Sequence, residues 1–144
     1  MLDYLILFLS SFAAATIFPI PIYSEGVLLY YLDKGLNPLL LLILSSIGNV
    51  LGAVINYYLG VKGAEYVIKK GYVKEENIKT GKRYFDRFGP FALLLSWAPY
   101  IGDPITFFAG IIKYDIKKFI ILVSIAKSVR YILIIKGFYF ATDR

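Results

Sequence analysis

From residue 36 to residue 61 the chain runs through apolar and small side chains without a single charge. A helix needs about 20 such residues to cross a bilayer, so this stretch is long enough to span. Once one span is granted, the rest of the chain has to be read against lipid, where every backbone polar group must find a partner inside the protein.

Four more apolar stretches follow the same logic, at 4–22, 27–32, 91–112 and 119–135. The last, extended to 140, is also long enough to cross. The first two are parted by Pro19, Pro21, Ser24, Glu25 and Gly26, and the fourth is interrupted by Pro99, Gly102, Asp103 and Pro104. Prolines and glycines at membrane depth break helices, and the exposed backbone must then be buried in protein or line a cavity. These two segments are expected to be re-entrant helical hairpins, with Pro21, Pro99, Gly102 and Pro104 at their tips.

Composition points the same way. Apolar residues make up 58% of the 144 and charged residues 18%, against about 45–50% and about 25% in soluble domains. Cysteine and histidine are both absent. That excludes disulfides, thiolate zinc sites, imidazole ligands and Ser-His or Cys-His catalysis, and no cofactor or metal is expected. Asp3 stands where a signal peptide carries positive charge, so the N-terminal stretch is expected to stay in the mature protein.

The net charge of +6 is uneven: between Lys62 and Arg87 eight Lys/Arg face four Asp/Glu. Between apolar runs, such a stretch marks the cytoplasmic face rather than a nucleic-acid site. Within it, Ile78, Gly81, Phe85 and Phe88 share a helical face, which suggests an amphipathic helix on the inner leaflet.

The two halves repeat at an offset of 78 residues. Pro21 corresponds to Pro99, Glu25 to Asp103, Asn37 to Asp115 and Ser46 to Ser124. Asn37 and Asp115 each precede a long apolar helix and are expected as its N-cap. A re-entrant hairpin followed by one crossing makes an odd number of crossings, so the second unit is inverted relative to the first, as in many transporters. The expected fold is all-α and integral to the cell membrane, a multi-pass single domain over 1–144. Repeat 1 covers about 1–61, the basic linker 62–88 and repeat 2 about 89–144, with both termini outside the cell.

Four ionisable residues sit where lipid should be: Glu25, Asp103, Lys127 and Arg130. Such groups are costly and normally face the bundle interior. They read either as ion pairs holding the repeats together or as an anion site, with Lys127 and Arg130 for a phosphate and Glu25 and Asp103 as proton carriers. Asn49 and Asn56 are amides in a spanning helix and are candidates to line a polar cavity. Gly48, Gly52, Asn56 and Gly60 recur every four residues, a spacing that lets helices approach closely.

The residues also resemble the DedA family, whose shared region is called the VTT domain. The matching segments are 21–25 (Pro-Ile-Tyr-Ser-Glu), 48–52 (Gly-Asn-Val-Leu-Gly), 57–63 (Tyr-Tyr-Leu-Gly-Val-Lys-Gly), 85–89 (Phe-Asp-Arg-Phe-Gly) and 96–99 (Ser-Trp-Ala-Pro), running on to Ala109 and Gly110. The match rests on the ordered set, over almost the whole chain, and is nearest to a small subfamily whose second hairpin reads Ser-Trp-x-Pro-x-x-Gly-Asp-Pro. The resemblance implies two inverted hairpin-plus-helix units and a role in moving lipids. Bacterial members return polyprenyl-phosphate carriers across the membrane, eukaryotic members scramble phospholipids, and some depend on the proton motive force. Many members place arginines three residues before and after the hairpin proline, and an acid after the second glycine of the spanning helix. Here those positions are Ser96, Gly102 and Ala53.

The leading expectation is a flippase or scramblase-like translocase for a polyprenyl-phosphate or phospholipid, with proton coupling through Glu25. Its partners would be membrane lipids, of anionic kind, and a second copy of the chain is compatible with so few spans. A proton-coupled transporter of a small ion or solute, and a non-transporting membrane scaffold, remain open. Nothing in the sequence resembles a nucleophile with its activator, so an enzyme is not expected.

Overall fold

The computed structural model describes residues 1–15, 24–72, 74–97 and 102–143, with the side chain of Asp103 outside that set. Among the described residues the regular structure is all helical: α1 (Leu2–Ala14), α2 (Ser24–Asp33), α3 (Pro38–Lys69), α4 (Glu75–Leu94), α5 (Gly102–Ile111) and α6 (Ile116–Thr142), with a 3-10 turn at Leu95–Trp97. The expected hairpin tips Pro21 and Pro99 lie outside the described residues. Among those described, α3 is the helix both long and apolar enough to cross a membrane. At 1.5 Å per residue its 32 residues reach about 48 Å. The 27 residues of α6 reach about 40 Å, but Lys127, Arg130 and Lys136 interrupt its apolar character.

The two long helices begin in the same way. Asn37 accepts hydrogen bonds from the amides of Leu39 (2.9 Å) and Leu40 (3.4 Å), and Asp115 accepts from those of Lys117 (2.9 Å) and Lys118 (3.3 Å). Each thus satisfies amides that a helix start leaves without a partner. The turns before them also agree bond for bond. Gly35 and Leu36 donate to Leu32 and Tyr31, while Lys113 and Tyr114 donate to Gly110 and Ala109. These are the paired bonds of a helix ending on a left-handed residue, at φ 83° for Gly35 and 56° for Lys113. A shift of 78 residues carries Gly35 onto Lys113 and the bounds of α2 onto those of α5. We expect Asn37→Ala and Asp115→Ala each to lower stability by about 1 kcal/mol. Denaturant melts in detergent check this, with Asn37→Asp expected to stay near wild type.

α3 is the centre of the bundle. α1 lies on its first half, where Gly48 and Gly52 face the backbone of Phe8 and Phe12. α5 lies on its second half, where Gly60 faces the Phe107 carbonyl and Gly110 faces the Tyr57 carbonyl. A side chain at either of the last two positions would strike backbone, so only glycine permits this approach. α6 runs antiparallel to α3. At one end the Tyr57 and Phe119 rings stand 4.9 Å apart; at the other, Leu41 and Tyr131 share a cluster with Leu7, Leu28 and Leu32.

The distribution of side chains inverts that of a soluble bundle. Ser11, Ser45, Asn49, Asn56, Thr106 and Lys127 are buried, while Leu39, Ile43, Ile47 and Leu51 on α3, and Ile121, Ile125, Val129 and Leu133 on α6, face outward. Outward apolar stripes with polar groups inside suit a hydrocarbon solvent. In α4 the buried face is Phe85, Gly89 and Leu93, whereas Phe88 is 53% exposed. The helix continues through Pro90 to Leu94, so its inward stripe follows the i, i+4, i+8 positions from Phe85 and leaves Phe88 beside it.

Candidate functional site

The N-terminus of α2 meets the middle of α6. Glu25 lies in the first turn of α2, where the helix dipole favours a carboxylate. Its Oε1 forms an ion pair with Nη2 of Arg130. Next to it, Ser24 Oγ donates to Glu25 Oε2 at 3.4 Å and shares a hydrogen bond with the Tyr131 hydroxyl at 3.1 Å. The pair is not sealed: the side chains of Arg130 and Glu25 keep 18% and 24% of their surface exposed. Lys127 is 1% exposed and lies three residues before Arg130, on the same helical face. Among the described residues, the middle of α6 therefore brings a partly exposed ion pair and, one turn earlier, a buried lysine among apolar helices.

Asn49 and Asn56 are buried on the inward face of α3. Asn49 Nδ2 donates to the Ser11 carbonyl at 3.0 Å, and Asn56 Nδ2 donates to the Ala15 carbonyl at 2.6 Å and to Thr106 Oγ1 at 3.2 Å. The carbonyls at the end of α1 have no partner within their own helix, and these two amides supply some of the missing donors. Asn56 thereby ties α1, α3 and α5 together. The hydroxyls of Ser11, Ser45, Ser46 and Ser96 and the Asn49 Oδ1 are buried with no protein hydrogen-bond partner.

In the segment expected to form the second hairpin, α5 starts at Gly102, so Asp103 lies in its first turn, and Pro104 is exposed. Gly102 packs directly on the Ser96 carbonyl, and Ala53 is fully buried in the core. No arginine could enter at position 102 without displacing that backbone. The cations of the described interior are thus those of α6. Sequence reasoning missed Ser24 and Tyr131 as parts of the site. A serine before an acid and a tyrosine after an arginine give the only hint of them.

These features define an all-α membrane protein that keeps an ion pair and a buried lysine between apolar helices. The VTT domain family model matches residues 18–140, and the chain belongs to that family, the DedA family of membrane proteins. Inner membrane protein YqaA of Escherichia coli is 33% identical over 129 residues, covering 89% of this chain and 85% of that protein. A protein of Methanocaldococcus jannaschii is 28% identical over 136 residues, 94% of this chain and 83% of its own length. Membrane protein YbfM of Bacillus subtilis is 30% identical over 95 residues, 62% of this chain and 59% of that protein. No solved structure matches. Membership in this family implies a role in membrane transport rather than enzymatic catalysis.

Proposed function

We propose that the protein moves a phosphate-bearing lipid, a polyprenyl phosphate or a phospholipid, from one leaflet to the other. The observation that carries this reading is the partly open Glu25–Arg130 pair with Lys127 buried one turn away. Charge inside a membrane is costly and points to a pathway or a site. A lipid phosphate entering from the side would compete with Glu25 for Arg130. The carboxylate it displaces would then stand in a low-dielectric site and take up a proton. Substrate binding and proton uptake would be linked through one contact. Arg130 and Lys127 would hold the phosphate in place of the arginines that many family members carry beside the hairpin proline, with Asp103 as a second proton carrier on the repeat-matched segment.

The matched turns at Gly35 and Lys113, the matched caps, and the antiparallel course of α3 and α6 support two units of opposite orientation. In that arrangement the basic segment from Lys62 to Arg87 faces the cytoplasm and both termini face outside. Cysteines introduced singly at Lys74 and Asp143 are expected to be labelled from opposite sides of the membrane. Labelling from one side would remove the inverted arrangement. The function itself is tested by native mass spectrometry of gently purified protein. A phosphate-bearing lipid should co-purify with the wild type, and less of it with Lys127→Gln. Equal lipid on both would count against the site.

A further inference from the structure

A cleft lined by charged side chains of both signs, with lysines in excess, lies away from the ion pair, where the α5–α6 turn meets α4. It has a volume of about 630 Å³ and is lined by Lys82 and Asp86 of α4, Lys113, Tyr114 and Asp115 of the turn, and Lys118 of α6, with Tyr57 among the remaining lining residues. Lys118 precedes Arg130 by twelve residues on α6, about 18 Å along the axis, so the cleft is separate from the Glu25–Arg130 contact. The Tyr57 hydroxyl donates to the Tyr114 carbonyl and fixes the turn to α3.

The internal repeat shows what is particular about this turn. The corresponding turn, Gly35 to Leu40, has the same bonds and cap but carries no charge. Its left-handed position is filled by glycine, the residue that adopts that backbone freely. In the second turn the same position holds Lys113 at φ 56°, a conformation that strains a side-chain-bearing residue. Lysines also replace Leu39 and Leu40 at the equivalent positions 117 and 118. Among the described residues Lys113 makes a weak surface contact, 3.9 Å to Glu65, with both side chains over 60% exposed. Such a contact contributes little and does not explain a strained lysine. Asp86 and Asp115 also line the cleft, so its three lysines leave it with a small positive excess, and the Oδ1 of Asp115 is already engaged by the amides of Lys117 and Lys118. Burial, helped by nearby Asp86 and Asp115, pushes the Tyr114 hydroxyl above its ordinary range, so it adds no negative charge.

We propose that this cleft binds a phosphate group, on a lipid headgroup or free in solution, through Lys82, Lys113 and Lys118. The site does not depend on what the Glu25–Arg130 pair does. The test is native mass spectrometry in neutral detergent, titrated in one arm with phosphatidylglycerol and in the other with inorganic phosphate. Both arms are repeated in the Glu25→Gln/Arg130→Gln variant, so binding at the ion pair is not counted. Saturable binding is expected in at least one arm. Its Kd should rise at least fivefold in Lys113→Gly and in Lys82→Gln, and less than twofold in Lys117→Gln, which removes the same charge outside the cleft. Binding of the lipid alone assigns a headgroup, and binding of inorganic phosphate assigns the free ion. Lys113→Gly relieves the backbone and should raise Tm by a few degrees, so its loss of binding is not a loss of fold. Lys113→Asn, which also tolerates this backbone, should lose binding alike. Equal weakening by Lys113→Gly and Lys117→Gln would reduce the effect to general surface charge and overturn the site. So would the absence of saturable binding in both arms.

Discussion

Replacing Arg130 by alanine is expected to cost about 3 kcal/mol of stability, the low end of the penalty for removing one partner of a buried pair, because this pair keeps part of its surface exposed. The reason is the residue left behind. Glu25 sits at the start of α2 with Ser24 donating to its second oxygen, and its ion-pair partner among the described residues is Arg130. Without it, the carboxylate must stay charged at high cost or take up a proton. Glu25→Gln should be milder, since an amide can still accept from the guanidinium. The double variant Glu25→Gln/Arg130→Gln should recover most of the loss, because no uncompensated charge remains. Thermal melts of wild type, Glu25→Gln, Arg130→Gln and this double variant in one detergent measure the coupling directly. Additive losses would mean that the pair contributes nothing as a pair.

The second large effect is expected at the crossing of α3 and α5. A methyl group at Gly110 would land on the Tyr57 carbonyl, and rigid backbone cannot yield as a side-chain tip can. Gly110→Ala should force the two helices apart at a cost of about 3 kcal/mol, the upper range for overpacking. The displacement would also strain the Asn56–Thr106 bond and the Tyr57–Tyr114 bond. Gly137→Ala is the matched control. Gly137 lies within α6 with open space around it, so the same substitution should stabilise by about 1 kcal/mol through helix propensity. Equal effects at the two glycines would contradict the close packing.

Much of this was legible in the sequence because the membrane leaves few choices. The charge-free run at 36–61 became the central helix α3, which continues into the basic stretch to end at Lys69. Asn37 and Asp115 announced two helix starts, since a short polar side chain before an apolar run has one common use there. The glycines at four-residue spacing marked the contact face of α3, although not which helix would occupy it. Other features were invisible for physical reasons. Lys113 looks like any exposed lysine until its backbone is seen to be left-handed. The Asn49 and Asn56 amides could have faced a cavity or a neighbouring helix, and only the position of α1 decides that they bind its terminal carbonyls. Tyr131 is one of thirteen tyrosines, and its place after Arg130 hints at the site without foretelling the bond to Ser24, which depends on α2 folding back onto α6.

The central claim is that the Arg130–Glu25 contact is where a lipid phosphate is taken up for translocation. It is tested by reconstituting the protein in liposomes and following the transbilayer movement of a fluorescent phosphatidylglycerol by its accessibility to an external quencher. The Glu25→Gln/Arg130→Gln double variant serves as the comparison, because its stability is expected to be near wild type. Wild-type protein should accelerate movement well above empty liposomes. The double variant, folded and inserted in equal amount, should fall to the rate of empty liposomes. Wild-type movement by the folded double variant would contradict the account and leave the two charges as a structural pair.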